Sequence, residues 1–204
     1  KAQQMHDTAG FPARKAASAS KGKLRGLGYS AYIEACGIAP SAAVGSLGAG
    51  VGLWESAEVR VNPVGTVEIL TGSHSHGQGH ETTFAQLVSD RLGVDFNNVS
   101  IVHGDTDRTP YGWGTFASRS LVIAGGATLL AAGKIRTKLT KMAGILLEAS
   151  AEDIVLEADV ARVAGTDRAI PITTLARAAY HQTYRFKGEV GPGISETATY
   201  DPPG

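Results

Sequence analysis

An α+β fold, a mixed-sheet hairpin packed by helices, is what the sequence predicts, and three patterns carry that reading. Segments 54–61 and 66–71 alternate apolar and polar residues, and Asn62-Pro-Val-Gly65 supplies turn residues between them, so the pair reads as a β-hairpin. Phe84, Leu87, Val88 and Leu92 then share one face at helical spacing, with Gly93 as a natural stop. Finally, a stripe through Leu121, Gly125, Leu129, Ala132, Ile135, Leu139, Met142 and Leu146 predicts one long helix over 118–150.

The remaining elements follow in chain order. Residues 1–23 are polar, small and basic, broken by Gly10 and Pro12, and are expected to form a frayed helix and linker before a domain over 24–204. Residues 24–34 suit a strand, and 35–52 read as a small-residue loop. In the first hairpin strand Ala57, Val59 and Val61 oppose Ser56, Glu58 and Arg60. Residues 99–102 read as a strand and 104–118 as a long polar loop. Gly125, Gly126 and Gly133 each weaken the long helix by roughly 1 kcal/mol relative to Ala, which implies close approach of another segment. The last quarter gives short strands at 154–156 and 161–164, a helix at 171–180 with Pro171 in its first turn, and a strand at 194–200.

Composition excludes several classes. The 204 residues hold one cysteine, Cys36, so a disulfide-stapled scaffold is ruled out. Nineteen Lys+Arg balance nineteen Asp+Glu, which leaves no one-sided basic field for nucleic acid. A hydrophobic content of 43% against 19% charged supports a real core. No apolar run reaches the roughly 18 to 20 residues of a membrane span, and the polar N-terminal stretch lacks a signal-peptide apolar region, so the cytoplasm is the expected location. The 26 glycines exceed the roughly 7% average usage and gather in particular loops. A start at Lys1 and a stop at Asp201-Pro-Pro-Gly204 suggest a portion of a longer polypeptide.

Two loops carry candidate chemistry. The run Gly72-Ser-His-Ser-His-Gly-Gln-Gly-His-Glu-Thr-Thr83 lies between a strand end and a helix start, where free N–H groups and bare glycine backbone suit a phosphate or a polar heterocycle. Gln78 adds a donor and an acceptor, the pairing a pterin or base edge requires. The bland alternative is a solvated turn. His74, His76 and His80 lack the i, i+4 spacing and Glu base of HExxH, and no cysteine pair accompanies them, so no metal ligand is assigned. The second run, Tyr111-Gly-Trp-Gly-Thr-Phe-Ala-Ser-Arg-Ser120, repeats the arrangement at the head of the long helix. There Thr115, Ser118 and Ser120 offer hydroxyls and Arg119 a fork of donors for an anion, or else Ser118 merely caps the helix and Arg119 makes a surface ion pair. Two such loops in one chain suit a ligand with two polar ends, such as a dinucleotide.

Other motifs fail on spacing. No GxxxxGK[ST] is present, and Gly48-Ala-Gly-Val-Gly52 does not fit GxGxxG. Asp105 and Asp107 begin like a calcium loop, but Pro110 and Phe116 stand where its Gly and terminal Glu belong. Asn98-Val-Ser100 is a chance sequon, and Cys36 has no CxxC partner and reads as a small core residue.

Taken together, Tyr32-Ile-Glu-Ala-Cys-Gly37, Gly52-Leu-Trp-Glu-Ser56, His76-Gly-Gln-Gly-His-Glu-Thr-Thr-Phe-Ala-Gln86, His103-Gly-Asp-Thr-Asp107 and Gly114-Thr-Phe-Ala-Ser-Arg-Ser120 resemble the molybdenum-binding large subunit of the xanthine dehydrogenase and aldehyde oxidase family. The bacterial carbon monoxide dehydrogenase type is most similar, and the resemblance runs from about Gly26 to Pro203. It implies a molybdopterin cytosine dinucleotide carrying molybdenum, held by Gln78, Gly79 and His80 from the first loop and by Thr115, Ser118, Arg119 and Ser120 from the second. The family's metal ligands come from the cofactor itself, so none is assigned to the histidines. The family's active-site loop, where the carbon monoxide type carries a cysteine, lies upstream of this region and its base glutamate downstream; Cys36 does not match that cysteine, and no catalytic residue is assigned. The implied partners are the remainder of the large subunit, an iron–sulfur small subunit and an FAD-binding medium subunit.

Two functional readings follow: a cofactor-binding portion of a molybdenum hydroxylase, inactive in isolation, or a non-catalytic anion-binding or scaffold domain whose glycine-rich loops only cap helices. Continuation of the parent reading frame on both sides separates them.

Overall fold

A computed structural model describes residues 1–204 except Ala35, Ala39 and Gly204. The chain comprises two compact units, Lys1–Glu34 and Ala35–Gly204. The first contains α1 (Ala2–Met5) and α2 (Phe11–Ala19). Asp7 ties the start of α2, accepting from Gly10 N–H at 2.8 Å and pairing with Arg14 at 2.6 Å. Residues 24–34, expected as a strand, form none: Leu24 and Ile33 are fully exposed, and without a ladder partner or a face to bury an apolar segment stays irregular coil.

In the second unit, α3 (Ser41–Val44) and a short π-turn over Gly45–Ala49 occupy part of the expected loop. Strands β1 (Glu55–Val61), β2 (Val67–Thr71), β3 (Val99–Val102) and β7 (Ser195–Tyr200) form a mixed sheet in the order β3-β2-β1-β7. The hairpin registers as its alternation requires, with Val59 opposite Ile69 and Val61 opposite Val67, all four fully buried. Because β2 and β3 run parallel, the chain crosses between them through α4 (His80–Leu92), which buries Phe84, Val88 and Leu92 and ends where Gly93 N–H bonds Ser89 C=O at 2.8 Å. A second, antiparallel sheet has the order β4 (Ile154–Glu157), β5 (Val160–Val163), β6 (Ala169–Pro171). Three-residue β6, invisible to periodicity, precedes α6 (Ile172–His181), for which Pro171 is the N-cap residue.

Helix α5 (Ser120–Leu147) packs against α4, β1 and β7 and reaches the second sheet at its far end. Its buried face differs from the expected stripe in the first half. There Ile123, Ala124, Ala127 and Ala131 face inward, while Leu121 and Leu129 remain 53% and 39% exposed. Small side chains let the sheet and α4 approach the helix closely, and the bulkier leucines stand outside that contact. From Ile135 to Met142 the stripe is as expected. The close approach implied by the glycines is real at Gly126, where a Cβ would collide with the Tyr200 ring on β7.

Candidate functional site

Parallel strands end at the same edge of a sheet, so the segments that follow β2 and β3 leave it side by side. These are the loops at 72–79 and 103–119, the two glycine-rich runs of the sequence. They touch through bare backbone: a Cβ on Gly72 would stand 2.8 Å from Gly112 Cα. Thr115 joins them, its hydroxyl donating to His74 C=O at 2.5 Å and lying 2.8 Å from the Ser120 hydroxyl.

In the first loop, Gln78 is exposed, and its side-chain oxygen accepts from His76 N–H. Gly79 caps α4 in the left-handed region at φ 84°, a conformation that brings the chain round into the helix at no Cβ penalty. His80 is buried, with its ring 5.4 Å from Phe84; burial pushes its pKa down, mainly against a backbone hydrogen bond to Ser73. The start of α4 already carries an anion. Glu81 accepts from Ser75 and pairs with His103 at 3.2 Å; a hydrogen bond from its own backbone N–H, above all, holds its carboxyl below the usual carboxylate range against desolvation.

The second loop enters α5 through two successive residues with left-handed backbone, Ala117 at φ 47° and Ser118 at φ 50°. For residues with a Cβ this is strained, and here the N–H of Gly37 ties the turn by bonding the carbonyls of Ala117 and Ser118 at 3.2 and 3.1 Å. No acidic residue stands in the first turn of α5, in contrast to α4. Ser120 is buried at that turn beside Thr115. The exposed rings of Trp113 and Phe116 rim the loop.

Arg119, expected to hold an anion or make a surface ion pair, is fully buried and points inward. Its guanidinium pairs with the equally buried Glu55 of β1, donates to Gly114 C=O at 2.7 Å and to Leu53 C=O at 2.5 Å, and lies 4.9 Å from the Phe116 ring centroid. The reason is physical: a buried carboxylate needs a charged partner, and Arg119 is the cation within reach. The structure thus brings Thr115 and Ser120 together with the first loop, leaves Gln78 facing solvent, and places Arg119 beneath the loop. Cys36, expected in the core, is exposed.

Sequence reasoning overlooked Glu55 and Gly37. Both sit in strings that carried the family resemblance, and Glu55 shares strand parity with inward-facing Ala57 and Val59, a position where a carboxylate is out of place.

A fit for an additional polar group is visible in the buried atoms. The partnerless buried side-chain atoms among the described residues are Glu55 Oε2, Ser73 Oγ, His80 Nδ1, His103 Nδ1 and Arg119 Nε, and every one belongs to these loops or to what supports them. Buried polar groups are ordinarily bonded, and these five atoms all lie in or beneath the two loops. Around His74, whose ring is 5.2 Å from that of His103, the described residues form no group of metal-ligating side chains. A cleft of about 340 Å³ lined by Asp105, Thr106, Thr109 and Tyr111 opens beside Gly72 and Gly112, but none of the expected site residues lines it.

Comparison with known proteins bears on this arrangement. The family model described as the molybdopterin cofactor-binding domain matches residues 1–204. The carbon monoxide dehydrogenase large chain of Hydrogenophaga pseudoflava is 36% identical over 97% of this chain and 25% of its own length. The nicotine 6-hydroxylase large subunit of Paenarthrobacter nicotinovorans is 36% identical over 98% of this chain and 24% of its own. Quinoline 2-oxidoreductase from Pseudomonas putida 86 superposes with a TM-score of 0.75 at 38% identity, covering 98% of this chain and 25% of that one. The chain therefore spans about a quarter of the length of these relatives.

Proposed function

This chain belongs to the molybdopterin cofactor-binding domain family, and from that premise we propose that its two glycine-rich loops form one wall of the cofactor site in the large subunit of a molybdenum hydroxylase. The observation that carries the reading is the joining of both loops by Thr115 and His74 above buried polar atoms that lack partners. The family match favours this reading over a scaffold whose loops only cap helices.

The two loops offer different chemistry. Glu81 already supplies negative charge at the start of α4, so the first loop suits a neutral ligand edge, met by the Gln78 amide, the Gly79 backbone and His80. The start of α5 has no such acid, so Thr115, Ser118, Ser120 and the helix N–H groups suit phosphate, and Arg119 contributes by holding the loop from beneath. A pterin joined to a second polar end through phosphates fits that division, and we assign the cytosine dinucleotide form. When bound, the cofactor supplies two-electron redox chemistry at molybdenum.

The whole enzyme would oxidise carbon monoxide, an aldehyde or an N-heterocycle in the cytoplasm. Electrons would leave to iron–sulfur and flavin groups, which the family resemblance implies are held by partner subunits; these 204 residues, with Cys36 as their one thiol, supply no set of cluster ligands. No helix among the described residues is long and apolar enough to cross a membrane.

The test is chemical analysis of the assembled enzyme. Molybdenum and acid-released cytidine monophosphate should both be present, and Gln78→Ala should lower both per subunit. An enzyme without pterin would overturn the reading; full occupancy in the variant would remove Gln78 from the site.

A further inference from the structure

We propose that Glu55 is a positioning residue of this cradle: with Arg119 it clamps the two peptide groups flanking Gly114 and so sets where Thr115, Ser118 and Ser120 are presented. This rests on the cofactor reading above. Glu55 opens β1 on its inward face and is fully buried. Its Oε1 accepts from Gly114 N–H at 2.9 Å and from Arg119 Nη1. The same Arg119 nitrogen donates to Gly114 C=O at 2.7 Å. Both backbone polar groups of Gly114 are therefore gripped by one ion pair, directly before Thr115. Gly112 forms an isolated bridge with Glu55, and a Cβ there would collide with the carboxylate, so the loop lies directly upon it.

Core stability alone does not account for the pair. Replacing a buried ion pair by apolar side chains of similar volume is often neutral or stabilising, and this pair leaves Glu55 Oε2 and Arg119 Nε without partners. What apolar residues could not supply is an acceptor for the Gly114 N–H and a donor for its C=O, which fix the two peptide groups flanking Gly114. The clamp also lies next to the strained turn at Ala117 and Ser118, whose conformation needs surrounding structure to impose it.

The assembled enzyme should be prepared with Glu55→Leu together with Arg119→Met, and separately with Glu55→Gln. The double variant is expected to keep its thermal midpoint within a few degrees of the parent yet hold molybdenum at least about tenfold less tightly, the scale on which supporting residues act. Glu55→Gln keeps an acceptor for Gly114 N–H and should release cofactor faster than the parent but more slowly than the double variant. If the double variant does not fold, Glu55→Gln decides: faster release at an unchanged circular dichroism spectrum supports the proposal, and unchanged release overturns it. Equal occupancy in parent and both variants, or loss only in step with unfolding, also overturns it. A parent enzyme lacking molybdopterin would overturn the cofactor reading, and this one with it.

Discussion

The hydroxyl of Thr115 donates to the carbonyl of His74 across 2.5 Å, a bond between two loops that follow different strands of one sheet. It exists because β2 and β3 are parallel and shed their loops at the same edge. Replacing the hydroxyl by a methyl keeps the volume and removes both this bond and the one shared with Ser120.

Thr115→Val should therefore cost about 1 kcal/mol of stability while loosening one loop from the other. Urea denaturation measures the first effect, and the rate at which molybdenum leaves the assembled enzyme measures the second. Parent-like release would separate the bond from cofactor retention.

Arg119→Ala has a larger expected cost. It leaves the Glu55 carboxylate buried beside Gly112 and Gly114 with no cation, a change that typically destabilises by about 3–5 kcal/mol. A surface arginine would cost a fraction of that. A denaturation midpoint close to the parent's would show that Glu55 finds other solvation.

Arg119 also marks the limit of what the sequence discloses. An arginine among serines at a helix start has the local pattern of an anion site; its true partner lies 64 residues away, on a strand whose inward parity is local but whose neighbour is not. The hairpin, α4 and the C-terminal half of α5 were legible because each buries one periodic face. Residues 24–34 misled because strand-like composition needs a ladder to become a strand. In the N-terminal half of α5 the apolar residues run around much of the helix, so periodicity alone chose Leu121 and Leu129 where packing chose Ala124 and Ala131.

His80 gives the unit a pH dependence of definite sign. Burial disfavours its charged form; His103 and His76 act in the same direction, opposed by Glu81 and the Ser73 backbone bond. Its folded pKa lies below the ordinary value of 6.5, so the unfolded chain binds the proton first as the pH falls. The stability from neutral His80 is complete above about 6.5 and is lost as pH falls from there through the folded pKa. Asp7, Glu58 and Glu81 are all held below the usual carboxylate range, so their own losses lie at lower pH. His80→Gln should bring the urea midpoints at pH 7.5 and pH 5.5 closer together. An unchanged gap would assign the dependence to other groups.

The chain by itself is expected to perform no hydroxylation. Such a reaction needs a bound cofactor, a base and a route by which electrons leave. The residues proposed for the cofactor lie at a single edge of the sheet, with Gln78 and Ser118 exposed and Ser120 buried, and would form one wall of the site; the chain spans about a quarter of the length of the relatives it matches. A ligand held from one side keeps much of its surface in water, which lowers affinity. The purified chain should accordingly carry no molybdenum by elemental analysis and should reduce no dye with carbon monoxide, an aldehyde or an N-heterocycle, whereas the assembled enzyme should hold molybdenum and reduce dye with one of these substrates. Stoichiometric molybdenum and dye reduction by the chain alone would mean that the two loops suffice as a complete site.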